Sequence, residues 1–315
     1  MNVLPRALGY AVLGLTPAAL IVRALGVPDA VPTGAFGAGL FLVGAVAVGS
    51  EYDRALGPAD AVAVERSDVV DAGAVVAGAI VTYALHVHAP PGPVLASALV
   101  GLAAGVGAEE FGVPAYCGSF VGMASPALFP SVAYVAAAGT LAGLAYAAAG
   151  RAFDGFGGKL GTIAFFGCVA TAALTDAGYA AANPIAWHSV RLVVPVAAAG
   201  SVATAVLSRR LGLGAVIGSA LVGVVAALAL PTAAPAVGGT LAAVAFCASF
   251  VGMSGSERLD GEAAFALAGA LCGVVFVAVA GAFPGAGGKL GTTAFAACLC
   301  YSGAGSLFDV RTSSR

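Results

Sequence analysis

Charge is what this sequence has least of. Asp, Glu, Lys and Arg make up 9% of the 315 residues, against about 25% in soluble globular chains. With a net charge of −2 there is no basic surface for nucleic acid, and no nucleic-acid partner is expected. There is one Trp, three His and, apart from the initiator, two Met. No CxxC and no metal-spaced His pair occurs, so neither a zinc site nor another bound cofactor is expected. Cys117, Cys168, Cys247, Cys272, Cys298 and Cys300 all fall within apolar stretches, which excludes a secreted-type disulfide scaffold.

Apolar side chains fill the space that charge leaves. They form 60% of the chain, mean hydropathy is +1.02, and Gly alone contributes 46 residues. A soluble fold cannot hide so much apolar surface, whereas helices packed in lipid use small residues to bring backbones together. The runs are too long and too uniformly apolar for a β-barrel, whose strands alternate. The composition specifies an all-α polytopic membrane protein with the lipid bilayer as its principal partner, and it is compatible with a homo-oligomer. The apolar run behind Arg6 extends to Leu20 and reads as an uncleaved first span.

Breaks in the runs place twelve transmembrane helices, at about 7–25, 32–49, 71–87, 93–108, 111–127, 131–150, 158–175, 190–207, 213–230, 236–254, 263–282 and 288–305. Residues 1–50 form an N-terminal helix pair, and 51–70 a charged loop. Residues 71–175 form a first five-helix repeat, 176–189 a linker, 190–305 a second five-helix repeat and 306–315 a tail.

The duplication is the most informative feature. Cys117-Gly-Ser-Phe-Val-Gly-Met123 returns as Cys247-Ala-Ser-Phe-Val-Gly-Met253, and Gly157-Gly-Lys-Leu-Gly-Thr162 returns as Gly287-Gly-Lys-Leu-Gly-Thr292, both 130 residues on. From Cys117 to Cys168, 25 of 52 positions are identical to their counterparts. Upstream the offset is 122, as in Ser97-Ala-Leu-Val-Gly101 and Ser219-Ala-Leu-Val-Gly223. Five spans per repeat implies opposite orientations in the bilayer. With a cytoplasmic N-terminus this places ten Lys and Arg residues inside and three outside; re-entrant third spans would give seven and six. The positive-inside rule prefers the inverted layout, with both termini cytoplasmic and the plasma membrane as location.

Gly-Gly-Lys-Leu-Gly-Thr is not a Walker A loop, since Leu160 follows the lysine where Ser or Thr is required. It provides a helix N-terminus, glycines for close approach and a cation, all of which suit an anion. The plainer reading is that Lys159 and Lys289 snorkel to the interfaces. Ser-Phe-Val-Gly-Met precedes a helix break at Ala124-Ser-Pro126 and again at Ser254-Gly-Ser256; freed carbonyls at that depth line a cavity or find partners. The plainer reading is a packing seam at Gly122 and Gly252. Cys and Met in register also allow a soft-metal site, and an intramembrane enzyme is a weaker alternative because no nucleophile and base converge.

The expected function is transport of a small anionic or polar solute, through a carrier or a channel, at the interface of the repeats. Its substrate-binding residues are expected to be Ser119, Phe120, Gly122, Met123, Lys159 and Thr162, with Ser249, Phe250, Gly252, Met253, Lys289 and Thr292. A non-transporting membrane scaffold is the competing class. The scarcity of carboxylates within the spans argues against a cation antiporter.

Overall fold

Long runs of Ala, Leu, Val and Gly favour helix wherever lipid leaves no other partner for backbone polar groups. The computed structural model describes residues 4–26, 31–56, 66–89, 92–182 and 184–313, and every regular element among them is helical. The helices are α1 (Leu4–Leu25), α2 (Val31–Ser50), α3 (Tyr52–Leu56), α4 (Arg66–His88), α5 (Gly92–Gly107), α6 (Glu109–Val121) and α7 (Val132–Ala149). They continue as α8 (Lys159–Leu174), α9 (Val190–Ala205), α10 (Ala215–Ala233), α11 (Gly238–Val251), α12 (Gly261–Val279) and α13 (Lys289–Ser313). A single 3-10 turn, Trp187–Ser189, leads into α9, and a π-helical turn, Val206–Arg210, extends it. Residues 57–65 of the charged loop and 314–315 of the tail lie outside the described residues.

Each of the twelve expected spans coincides with a helix, but not every helix is long enough to cross. Among the described residues, six are both long and apolar enough: α1, α4, α7, α9 with its flanking turns, α10 and α12. The apolar helices α5, α8 and α11 have 16, 16 and 14 residues. At 1.5 Å per residue they reach about 24 Å or less, short of a hydrocarbon core of about 30 Å. The shortfall comes from chain breaks. Helix α6 stops at Val121, where the apolar run continues as a turn, and α11 at Val251, just before Ser254-Gly-Ser256; glycine-rich turns also precede α8 and α13.

Large apolar side chains stand on the outside, Leu174 at 78% and Val106 at 71% exposure, while the core is dominated by Ala, Val and Phe. This arrangement is that of a membrane protein. Helix α4 packs against α6 and α7, as α9 does against α11 and α12. Helices α5 and α10 pack together, as do α8 and α13, while α1 lies on α7 and α2 on α13.

Candidate functional site

The two broken helices end in equivalent ways. Gly122 and Gly252 remain helical in φ (both −62°), and both sit against a neighbouring helix, where a side chain would overlap Thr82 or Thr204. The released carbonyls are held by different chemistry in the two halves. His86 Nε2 lies 3.2 Å from the Ala124 carbonyl, and the Tyr83 hydroxyl donates to Phe129. At the counterpart positions one side chain serves both carbonyls, for Arg209 donates to Ser254 and to Leu259 and rests on the Phe265 ring.

The turns after these breaks meet the turns before α8 and α13 by exchanged contacts. The Ser125 amide donates to the Gly285 carbonyl, and the Gly255 amide to Gly155, each at 2.8 Å. Phe153 packs on Phe295 and Phe283 on Phe165, both with centroids 5.4 Å apart. Gly158 and Gly288, at φ 84° and 78°, take a left-handed conformation that suits glycine. Behind them Gly161 and Gly291 touch backbone to backbone. At the centre the Phe120 and Phe250 rings meet at 4.8 Å.

Lys159 starts α8, with 15% of its side chain exposed, and its ammonium lies 2.7 Å from Asp154 and 2.8 Å from the Gly150 carbonyl. Lys289 starts α13 and donates to the carbonyls of Ala280 and Ala282, at 2.9 and 3.0 Å. Pro284 occupies the place of Asp154 there. The absence of an acidic counterpart explains why each lysine satisfies its charge differently.

A cavity of about 470 Å³ opens beside Lys159. Its wall includes Phe120, Phe250 and Met253 of the repeated motifs, with Asp68, Tyr146 and Asp154. Lys289 and Met123 are not part of that wall. Ser119 and Ser249 are fully buried and tied into pairs with Ser97 and Ser219, at 2.8 and 2.7 Å. The hydroxyls of Thr162 and Thr292 bond back to the carbonyls of Gly158 and Gly288. Of the twelve residues proposed from sequence, the structure gathers Phe120, Lys159, Phe250 and Met253 on this cavity; Gly122, Gly252, Ser119, Ser249, Thr162 and Thr292 serve helix contacts.

Sequence reasoning passed over Asp154, Tyr146 and Asp68. The signal for Asp154 was its place five residues before Lys159 in a glycine-rich turn. A second cavity, of about 380 Å³ between α1, α2 and α13, is walled almost wholly by apolar side chains. All six cysteines are free and buried, and Cys247 and Cys272 lie 3.5 Å apart. Among the described residues no three His, Cys, Asp or Glu converge as metal ligands. The chain matches no known protein family, and no curated protein or solved structure is significantly similar to it.

Proposed function

We propose that the protein is a multi-pass transporter or channel for a small polar or anionic solute, with twelve helices built as a helix pair and two inverted five-helix repeats. The observation that carries this reading is the cavity at Lys159. It lies where the broken end of one half meets the start of α8 in the other, and it combines charged groups with aromatic walls. Such a combination suits solute binding better than packing. The exchanged contacts fit a two-fold relation between the halves, which the inverted layout requires. If one half contacts the other through a pair of positions, a two-fold relation requires the swapped pair as well, and the Ser125–Gly285 and Gly255–Gly155 bonds are such a pair. In this reading both termini are cytoplasmic, the plasma membrane is the location and the protein performs no covalent chemistry.

The scaffold alternative draws on the seams at Gly122, Gly252, Gly161 and Gly291, which are backbone-close. Cysteine accessibility separates the two. In a background with the native cysteines replaced, Val113→Cys, Ala147→Cys and Ala215→Cys line the cavity. A membrane-impermeant maleimide should label them if the cavity admits solute, whereas a scaffold leaves them unlabelled. The same reagent tests the inverted layout, for Arg209→Cys and Ala181→Cys should label from opposite sides of the membrane. Labelling from one side removes that layout.

A further inference from the structure

The charges around Lys159 narrow the kind of solute this cavity takes. Resting on the solute-site reading above, we infer that the site binds a small zwitterion, a molecule with one carboxylate and one ammonium group, in preference to a simple anion. The lysine is not waiting for a counter-ion. It is held at 2.7 Å by Asp154 and at 2.8 Å by the Gly150 carbonyl.

An anion entering this site must displace the Asp154 carboxylate, and that carboxylate then stands unpaired beside a like charge. A cation that takes Asp154 leaves Lys159, with 15% of its side chain exposed, short of its partner. A zwitterion has neither penalty. Its carboxylate replaces Asp154 at the lysine, its ammonium takes Asp154, and one ion pair becomes two. The unequal exposure of the pair fits this exchange, for Asp154 is 60% exposed and free to swing while Lys159 is enclosed.

Three further features agree. Helix α8 has no side-chain cap and begins on the same wall, so its positive end favours the ligand carboxylate next to Lys159. The Arg258 guanidinium holds the Asp154 carbonyl at 3.0 Å, fixing the backbone from which that carboxylate swings. The rings of Phe120, Phe156 and Phe250 offer an apolar surface for the remainder of the ligand.

The experiment is binding to the purified full chain, by calorimetry and by shift of the melting temperature, with probes that share a carbon skeleton. One set is 2-aminobutyrate, butyrate and butylamine; a bulkier set is leucine, 4-methylpentanoate and isoamylamine. The zwitterion should bind most tightly within at least one set. Lys159→Met should weaken it roughly 30-fold or more, as loss of an enclosed charge implies, and Asp154→Asn, which removes an exposed carboxylate, by a smaller factor of about 3–5. Asp154→Asn should also raise the affinity of the carboxylate probe relative to the zwitterion. The wild-type ranking decides the matter even if a variant fails to fold. A carboxylate or amine that outranks the zwitterion in both sets overturns the inference and leaves the solute site standing. If no probe binds, the inference is overturned, and the maleimide result decides separately whether the cavity admits solute.

Discussion

Glu51 and Arg258, 207 residues apart, face each other through two hydrogen bonds of 2.6 and 2.9 Å, with 4% and 11% of their side chains exposed. The pair ties the end of the N-terminal helix pair to the turn after α11. The same guanidinium stacks on Phe156 and holds the Asp154 backbone, so the tie reaches the wall of the cavity. Removing one partner takes the main counter-charge from the other in an enclosed place; because Glu51 keeps Arg54 at 3.0 Å and Arg258 keeps the Asp154 carbonyl, the cost should fall below the ~3–5 kcal/mol of a fully unpaired buried charge. Arg258→Met should therefore lower the melting temperature of the detergent-solubilised protein more than the double replacement Glu51→Leu with Arg258→Met. Equal losses would show that the ion pair itself contributes little.

Thr82 and Thr204 occupy equivalent positions, are fully buried, and have side-chain hydroxyls without a hydrogen-bond partner. Replacing each by Val removes an unsatisfied polar group while keeping its shape. Thr82→Val and Thr204→Val should be neutral or stabilising by up to about 1 kcal/mol. Ser119→Ala should have the opposite sign. Its hydroxyl joins Ser97 and the Tyr116 carbonyl, and leaving Ser97 without that partner should cost about 1 kcal/mol. Thermal melts of the three variants check both signs.

The helical, membrane-type character was legible because apolar content is a property of the whole chain and survives any rearrangement of contacts. The breaks after Val121 and Val251 were legible as well, from Pro126 and from Ser254-Gly-Ser256. Helix length was less so. Hydropathy counts Met123 and Ala127 as span whether the backbone is helical or turning, so a run of crossing length conceals a helix of 13 residues. The candidate site was only half visible. The duplication drew attention to residues present in both copies, and several of these, such as Thr162 and Gly122, serve packing. Asp154 escaped because Pro284 replaces it in the second copy, although position rather than duplication makes it the partner of Lys159. Tyr146 and Asp68 reach the cavity from α7 and α4, and only the tertiary fold brings those helices to Lys159.

Gly161 and Gly291 bring α8 and α13 together with no room for a side chain on either. A Cβ at either position overlaps the backbone of the opposite glycine, and backbone cannot rotate away as a side-chain tip can. Overpacking of this kind costs about 1–3 kcal/mol per site even where neighbours relax. Gly161→Ala and Gly291→Ala should each lower the melting temperature, and the double variant should lose more than either. Gly239→Ala is the control, since its Cβ would meet open space; it should behave as wild type.

Arg209 does in one half what Tyr83 and His86 do together in the other. All three hold carbonyls freed by a helix break, Ser254 and Leu259 for the arginine, Phe129 and Ala124 for the tyrosine and histidine. A guanidinium reaches two acceptors because its donors are spread over a rigid plane, and its flat face lies over Phe265 at 4.5 Å. A lysine offers a single ammonium and loses the ring contact. Arg209→Lys should therefore cost about 1–2 kcal/mol, although the charge is kept. In the other half the work is divided, so Tyr83→Phe and His86→Leu should each remove one bond, at about 0.5–1.5 kcal/mol, with losses that add in the double variant. Melting curves of the four variants test the division. If Arg209→Lys melts with the wild type, the arginine acts through its charge alone and the equivalence with Tyr83 and His86 fails.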